Sequence, residues 1–174
     1  MKINSGKFKN SSIEILKSSS FRPSTSLSRK SFFDSIGNLE GKTFMDIFAG
    51  SGIIGFEAAS RGAKNVSFIE INKKYLNQII SNSKKFEYEK FNFFARDANR
   101  FIKKCDSHDV IFADPPYNLS GKTHLTVKSG KPVAGNKGDW DIIDDYEKFT
   151  TEWLTECIRV LKDNGTIWIS GTLH

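Results

Sequence analysis

Apolar and polar residues alternate weakly from Lys2 to Ile15, around Ser5-Gly6 and Asn10-Ser11-Ser12, which predicts a short hairpin. Phe21-Arg22-Pro23-Ser24-Thr25 reads as extended chain, because a residue before proline avoids the helical region. A helix is expected from Thr25 or Ser26, with Leu27, Phe32, Phe33 and Ile36 on its apolar side, stopping at Gly37-Asn38. From Lys42 the rhythm becomes strand, then helix. Thr43–Phe48, Asn65–Ile71, Phe91–Ala95 and Asp109–Ala113 have the run length of strands; Gly55–Arg61, Lys73–Lys85 and Ala98–Lys104 have helical spacing. Asn118 to Asp141 is polar and rich in Gly and Lys, the composition of a long loop. Tyr146, Phe149, Trp153, Leu154, Cys157, Ile158 and Leu161 then recur at three- and four-residue steps, which predicts an amphipathic helix. Asp163-Asn164-Gly165 reads as a turn, and Thr166–Ser170 as a fifth strand in which Trp168 is expected to be core. Strands alternating with helices imply an α/β fold, a parallel sheet with helices on both faces.

Length and charge narrow the reading. The 174 residues suffice for one core and are too few for two ordinary ones. No apolar run is long enough to span a bilayer, and Met1-Lys2-Ile3-Asn4-Ser5 lacks the apolar core of a signal peptide, so a cytosolic protein is expected. Cys105 and Cys157 lie far apart, and His108, His124 and His174 are isolated, so neither disulfides nor a metal site are expected. The net charge is +6, and its excess is N-terminal: residues 1–45 hold 8 Lys/Arg against 3 Asp/Glu. That distribution fits a polyanion footprint as well as a merely solvated basic surface. It suggests a division into a basic extension, residues 1–41, and a main domain, residues 42–174, carrying the loop 119–141.

Four strand ends carry candidate chemistry. Asp46 precedes Gly50, Gly52 and Gly55, a G-x-G-x-x-G turn between a strand and a helix. Such a turn lets a ligand approach the backbone closely, yet it also occurs as a plain tight turn. Asp46 suits a ligand with an ammonium group and would oppose a dinucleotide pyrophosphate, which argues against a nicotinamide oxidoreductase. Glu70, 20 residues after Gly50, is placed to accept ribose hydroxyls. Asp97 suits an adenine amino group, the N-cap of the next helix, or both. Asp114-Pro115-Pro116-Tyr117 follows the fourth strand directly. A carboxylate and a proline-fixed carbonyl can hold an exocyclic amine, and Tyr117 offers a face to a flipped base.

With these residues the chain resembles S-adenosylmethionine-dependent amino-methyltransferases, whose motif for exocyclic base nitrogens is Asp-Pro-Pro-Tyr. Residues 1–118 look like the RsmD-type bacterial enzymes that methylate guanine N2 of small-subunit rRNA. The matching pieces are Gly6-Lys7-Phe8-Lys9, Arg22-Pro23-Ser24-Thr25 with Arg29 and Ser31-Phe32-Phe33, Asp46–Gly55, Glu57–Ala63 and Asp109–Tyr117. The resemblance implies a Rossmann-like methyltransferase fold with an N-terminal hairpin extension. It implies a cofactor site at Asp46, Phe48, Ala49, Gly50, Ser51, Gly52, Glu70, Ile71, Asp97 and Ala98, and a base site at Asp114, Pro115, Pro116 and Tyr117. Lys7, Lys9, Arg22 and Arg29 would contact phosphates of rRNA or the small ribosomal subunit.

Beyond Asn118 the resemblance changes. Gly138-Asp139-Trp140-Asp141, Trp153-Leu154, Arg159–Lys162 and Gly165–His174 are similar to DNA adenine-N6 methyltransferases. The last two strands of the fold are absent from this sequence, so strand five is expected to be an open edge through which a monomer could self-associate. Three readings follow: methylation of guanine N2 in rRNA, methylation of adenine N6 in DNA, and a non-catalytic cofactor- or RNA-binding remnant.

Overall fold

β1 (Thr43–Ile47) lies at the centre of a five-stranded, all-parallel sheet, flanked by β2 (Asn65–Ile69) on one side and β4 (His108–Ala113) on the other. β3 (Phe91–Phe94) extends the β2 side, and β7 (Leu161–Ile169) closes the β4 side, giving the order β3-β2-β1-β4-β7. The computed structural model describes residues 1–16, 25–118, 125–126, 132–133 and 141–171. A two-residue antiparallel pair, β5 (Leu125–Thr126) with β6 (Pro132–Val133), stands apart from the sheet.

The period of two along each strand divides the core. Phe44, Val66, Phe68, Val110 and Phe112 face α1 (Ser26–Ile36), α2 (Ile53–Ser60) and α3 (Lys73–Ser83). Met45, Ile47, Ile69, Ile111 and Ala113 face α4 (Ala98–Ile102) and α5 (Tyr146–Arg159), where Trp153 and Cys157 are fully buried. Alternate residues thus serve opposite layers, as expected for a sheet covered on both faces. Thr25, Asn72, Asp97 and Asp145 cap helices by accepting a backbone N–H in the first turn. No helix among the described residues is long and apolar enough to cross a membrane.

The N-terminal segment is tied to this core. Ile3, Phe8 and Ile13 are buried in the same cluster as Phe56 and Phe86. The expected hairpin is short: Met1 N and Ile13 N each donate to the other's carbonyl at 2.8 Å, Ile3 N donates to Ser11 O and Asn10 N to Ile3 O, around the antiparallel bridge of Lys2 with Ser12, and the segment is also bonded to α2. Ser60 Oγ donates to Ser5 O and accepts from Phe8 N, and Lys7 N donates to Ser60 O. A Cβ at Gly6, where φ is +83°, would stand 1.8 Å from Ser60 O. Only glycine permits that approach.

Three sequence readings change. Leu27, expected on the apolar side of α1, is 77% exposed. It lies in the first turn of the helix, ahead of the stretch that buries Phe32 and Phe33. Asp163-Asn164-Gly165 does not end the chain's run before a new strand; it is a bulge inside β7, where His108 pairs with Leu161 but Val110 with Thr166. Trp168 is not core: it packs on Phe32 at 5.3 Å yet stays 36% exposed, because β7 is the outer strand. Among the described residues no strand pairs with its outer side. The extended stretch at Phe21–Ser24, His124, Trp140 and His174 lie outside the described residues, as does most of the loop 119–141.

Candidate active site

The chain runs from β1 outward through β2 to β3, then returns to place β4 on the other side of β1. Strand order therefore reverses between β1 and β4, and ligands of open α/β sheets bind in the crevice beyond the strand ends at such a point. A cavity of about 300 Å³ opens there, between the turn after β1 and the motif after β4.

Asp46 occupies the next-to-last position of β1 and is fully buried, with its Oδ2 accepting Gly55 N at 3.0 Å. The chain then turns sharply. Phe48 has φ +61°, a left-handed conformation that costs about 1 kcal/mol or more in a non-glycine residue. Its ring is held by Trp153 and Phe149, at 5.8 and 6.0 Å. Gly52, also left-handed, is the N-cap of α2. At Gly55 a Cβ would stand 2.3 Å from the Phe68 ring, so glycine is what seats α2 this close to β2. Glu70 joins the turn to β2: its Oε2 accepts Gly50 N and its Oε1 accepts Asn72 N, each at 2.8 Å.

Burial sets the charge state of these acids. Desolvation raises Asp46 well above the usual carboxylate range; the Gly55 N–H opposes it, while Asp114 and Glu70 add repulsion. Desolvation also raises Glu70, against the N–H groups of Asn72, Gly50 and Ile71. Four carboxylates line this one cavity, Asp46, Glu70, Asp97 and Asp114, and favour a ligand that brings positive charge and hydroxyl groups.

At the end of β4, Asp114 accepts the hydroxyl proton of Tyr117. The Tyr117 oxygen lies 2.9 Å from Ser170 Oγ, just beyond β7. Burial raises the Tyr117 phenol and the bond to Asp114 raises it further, so it remains a donor at neutral pH. The backbone N–H groups of Tyr117 and Asn118 both donate to Asp141, whose carboxylate is buried. Asn118 and Ile143 exchange two further hydrogen bonds at 3.0 Å.

The structure brings most expected residues to this cavity. Asp46, Phe48, Ala49, Gly50, Ser51 and Glu70 line it with Ile71, Asp97, Ala98, Asp114, Pro115, Pro116 and Tyr117. Gly52 does not line it and acts as the cap of α2. Asp97 caps α4 by accepting Arg100 N, the second of its expected roles, and it also lines the cavity.

The basic residues are placed elsewhere. Lys7 lies beside Glu87 and against the end of α2 away from the cavity, and Lys9 is exposed in the same turn. Eight helical residues separate that end from the glycine turn, about 12 Å. Arg29 is only 3% exposed, and its guanidinium donates to Lys2 O and Asn4 Oδ1. It fastens the N-terminal segment and does not present its charge to a phosphate, which corrects the expected role. Arg22 lies outside the described residues.

Sequence reasoning missed Tyr75, Phe112, Ile143 and Phe149 on the cavity wall, and Asp141 beneath it. Tyr75 and Phe149 carried a signal, since both fall on the apolar spacing of a helix, but that spacing does not separate core from cavity. Asp141 carried none beyond the Gly138–Asp141 match.

The family described as Conserved hypothetical protein 95 matches residues 1–131, and that described as DNA methylase matches residues 108–174. Both matches include Asp114–Tyr117. The Type II methyltransferase M2.DpnII of Streptococcus pneumoniae is 45% identical over 83 residues, covering 45% of this chain and 31% of that protein. The chain spans about a third of the length of the curated relatives it matches. The solved structure of yhhF from Escherichia coli is 27% identical and covers 67% of this chain and 65% of that one, with a TM-score of 0.62. That of the Thermus protein TTHA0928 is 22% identical, covering 97% and 84%, with a TM-score of 0.71. The sheet order and the helices on both faces are those of the Rossmann-like methyltransferase fold.

Proposed function

We propose that this chain, which belongs to the family described as Conserved hypothetical protein 95, binds S-adenosylmethionine in the cavity and methylates an exocyclic amino group of a nucleic-acid base. The observation that carries the reading is the meeting of two motifs in one cavity: the glycine turn with its buried Asp46, and Asp114–Tyr117 on the neighbouring strand.

The residues present fit that cofactor. A cavity of about 300 Å³ is at the lower end of those that hold small molecules. Asp46 and Glu70, buried beside each other's field, gain from a cationic ligand. Glu70 spends each oxygen on one backbone N–H and keeps acceptor capacity for ribose hydroxyls. Ile71, Asp97 and Ala98 would take the adenine. When bound, the cofactor supplies an electrophilic methyl group on a sulfonium, and the sulfur departs as a neutral thioether.

The chain's own work is to orient the acceptor. Asp114 and a carbonyl of the Pro115-Pro116 pair accept the two amine hydrogens, which leaves the nitrogen lone pair free to attack. The nitrogen forms the new N–C bond and releases one proton toward Asp114 or solvent. Tyr117 stacks on the base, and the apolar wall of Phe48, Phe112 and Phe149 keeps water from the reacting atoms.

The acceptor we favour is guanine N2 of small-subunit rRNA, supported by the family match over residues 1–131. A second reading, adenine N6 of DNA, draws on the match over residues 108–174 and on the Streptococcus relative. Incubation with methyl-labelled S-adenosylmethionine and, separately, unmethylated small ribosomal subunits, stripped rRNA and unmethylated duplex DNA tests both. Label in the subunits supports the first reading and label in DNA the second. Asp114→Ala abolishes transfer and leaves cofactor binding in place; normal methylation by that variant overturns the reading.

A further inference from the structure

The described cations expected to meet a nucleic acid are not at the cavity: Lys7 and Lys9 lie at the far end of α2, and Arg29 is buried. The fold puts others there. β2 and β3 pair in parallel with Ile69 opposite Phe94, so the chain leaves both strands side by side at the cavity end. The segment after β2 opens α3 with Lys73 and Lys74. The segment after β3 carries Arg96, on the cavity wall, and Arg100, whose N–H is bonded to the Asp97 cap. All four residues are exposed, and among the described residues none of them has an ion pair. The acids of the same two segments are engaged with backbone: Glu70 is buried and accepts Gly50 N and Asn72 N, while Asp97 accepts Arg100 N.

Helix stability does not account for this placement, since a cation in the first turn opposes the positive end of a helix. α5 shows the favourable arrangement, with Asp144, Asp145 and Glu147 exposed around its start and outnumbering Lys148. α3 has no acid in its first turn and two lysines instead. The mouth of the cavity is therefore divided: acidic where α5 begins, basic beyond β2 and β3. A polyanion lying across it is repelled by the first side and drawn to the second. The spacing agrees. Three steps between neighbouring strands separate β4, which leads into Asp114, from β3. At about 4.8 Å each they make about 14 Å, or about four nucleotides of a stacked strand with about 3.4 Å between phosphates. A base held at Asp114 brings the phosphates of its neighbours within reach of these cations.

We propose that Lys73, Lys74, Arg96 and Arg100 form the surface that holds the backbone phosphates of the acceptor RNA, on the β2–β3 side of the cavity mouth. The inference rests on the reading of the cavity as a site for a nucleic-acid base. Phosphate contacts of this kind fix the strand's position and carry no base sequence, so the surface acts on any RNA strand alike.

The experiment reads binding without methyl transfer. With the cofactor site filled by S-adenosylhomocysteine, fluorescence anisotropy follows a short labelled single-stranded RNA of mixed sequence, and a duplex DNA beside it, over a series of salt concentrations. Lys73→Gln/Lys74→Gln/Arg100→Gln spares Arg96, and none of its three positions lines the cavity. In that variant the dependence of log affinity for RNA on log salt flattens by about 2, from about 0.7 per phosphate contact on a single strand, and affinity at about 0.1 M salt falls roughly 10- to 100-fold. The Kd for S-adenosylmethionine, measured by calorimetry, stays unchanged. Lys64→Gln/Lys84→Gln/Lys90→Gln removes the same charge from exposed lysines at the opposite end of the sheet, ahead of β2, at the end of α3 and ahead of β3. It leaves the salt dependence as it was. An unchanged dependence in the first variant, an equal change in the second, or a change for duplex DNA with none for RNA overturns the proposal. Full methylation by Asp114→Ala would instead overturn the reading beneath it and leave the binding result standing.

Discussion

Asp141 accepts the backbone N–H of Tyr117 at 2.8 Å, and through the same oxygen that of Asn118 at 2.9 Å. A buried carboxylate 24 residues downstream therefore shapes the turn that follows Asp114. Asp141→Ala strips both N–H groups of their acceptor and loosens the turn. The expected outcome is a loss of roughly 2 kcal/mol in urea unfolding, within the range for unsatisfied buried donors. Methyl transfer falls at least tenfold while cofactor affinity holds, because the glycine turn is untouched. Asp141→Asn keeps an acceptor oxygen and recovers most of both. Equal loss in the two variants would show that charge, and not hydrogen bonding to Tyr117, is what Asp141 supplies.

That relationship also marks where sequence reading stops. From Thr43 to Ala113 each strand and helix falls within two residues of its predicted bounds. There the apolar runs have one clear period, and Gly, Asn or Asp punctuates them. The glycine turn, Glu70 and Asp114 were legible for the same reason, since each sits at the end of a recognisable strand. Arg29, Trp168 and Asp141 were not. Arg29 is buried by Lys2 and Asn4, 27 and 25 residues away, and no local pattern records that pairing. Trp168 looks like core because its strand is apolar, but β7 is an outer strand, and strand order is not written in periodicity. The stretch Glu57–Ala63 was legible as the end of a helix, but its particular residues only as a family likeness. Its physical reason is that Glu57 and Ser60 fasten the N-terminal segment, while Ala63 O receives the Tyr88 hydroxyl.

Glu57 makes a test of that fastening. Its side chain is wholly buried, accepts Asn4 N at 2.7 Å and pairs with Arg61 at 3.1 Å. Glu57→Ala leaves the Arg61 charge and the buried Arg29 without their carboxylate. Removing one partner of a buried pair costs about 3–5 kcal/mol. Chemical denaturation should register a loss of that order, and hydrogen exchange should accelerate across residues 1–13 before it does in β1. If exchange of that segment is unchanged, the segment is held by its apolar contacts and the Ser60 and Arg29 hydrogen bonds without Glu57.

The fit of α2 on β2 is tested at Gly55. A methyl group there meets the Phe68 ring at 2.3 Å, and Phe68 is itself packed by Phe56, Phe91 and Phe93. The ring has nowhere to yield, so Gly55→Ala pushes the helix outward. Overpacking of this kind costs about 1–3 kcal/mol. The same shift lengthens the bond from Gly55 N to Asp46, so cofactor affinity falls together with Tm. Phe68→Leu, which vacates part of that space, should restore both in the Gly55→Ala background. A Gly55→Ala protein with unchanged Tm would show that α2 is free to move.

The buried acids predict an unusual pH dependence. Burial raises Asp46 and Glu70 above the ordinary carboxylate value of about 4, so the folded protein without cofactor holds protons that the unfolded chain has lost. Its stability therefore falls as pH rises from about 4 through the raised values, the reverse of a salt-bridged carboxylate. Asp109 shows that ordinary sign: burial would raise it, but Lys162 and Thr43 hold it at about 2, and its contribution is lost only as pH falls through that value. A cationic cofactor favours the ionised forms of Asp46 and Glu70, so its binding releases protons and its affinity rises with pH across the same window. Calorimetry in two buffers of different ionisation enthalpy measures that release directly. Asp46→Asn keeps an acceptor for Gly55 N but has no charge to give. It should weaken cofactor binding roughly 10- to 100-fold, the scale of a charge-assisted hydrogen bond of about 1.5–3 kcal/mol, and remove most of the pH dependence. Proton uptake on binding, or an affinity flat with pH in the unmodified protein, would mean that the ligand of this cavity does not bring its positive charge to Asp46.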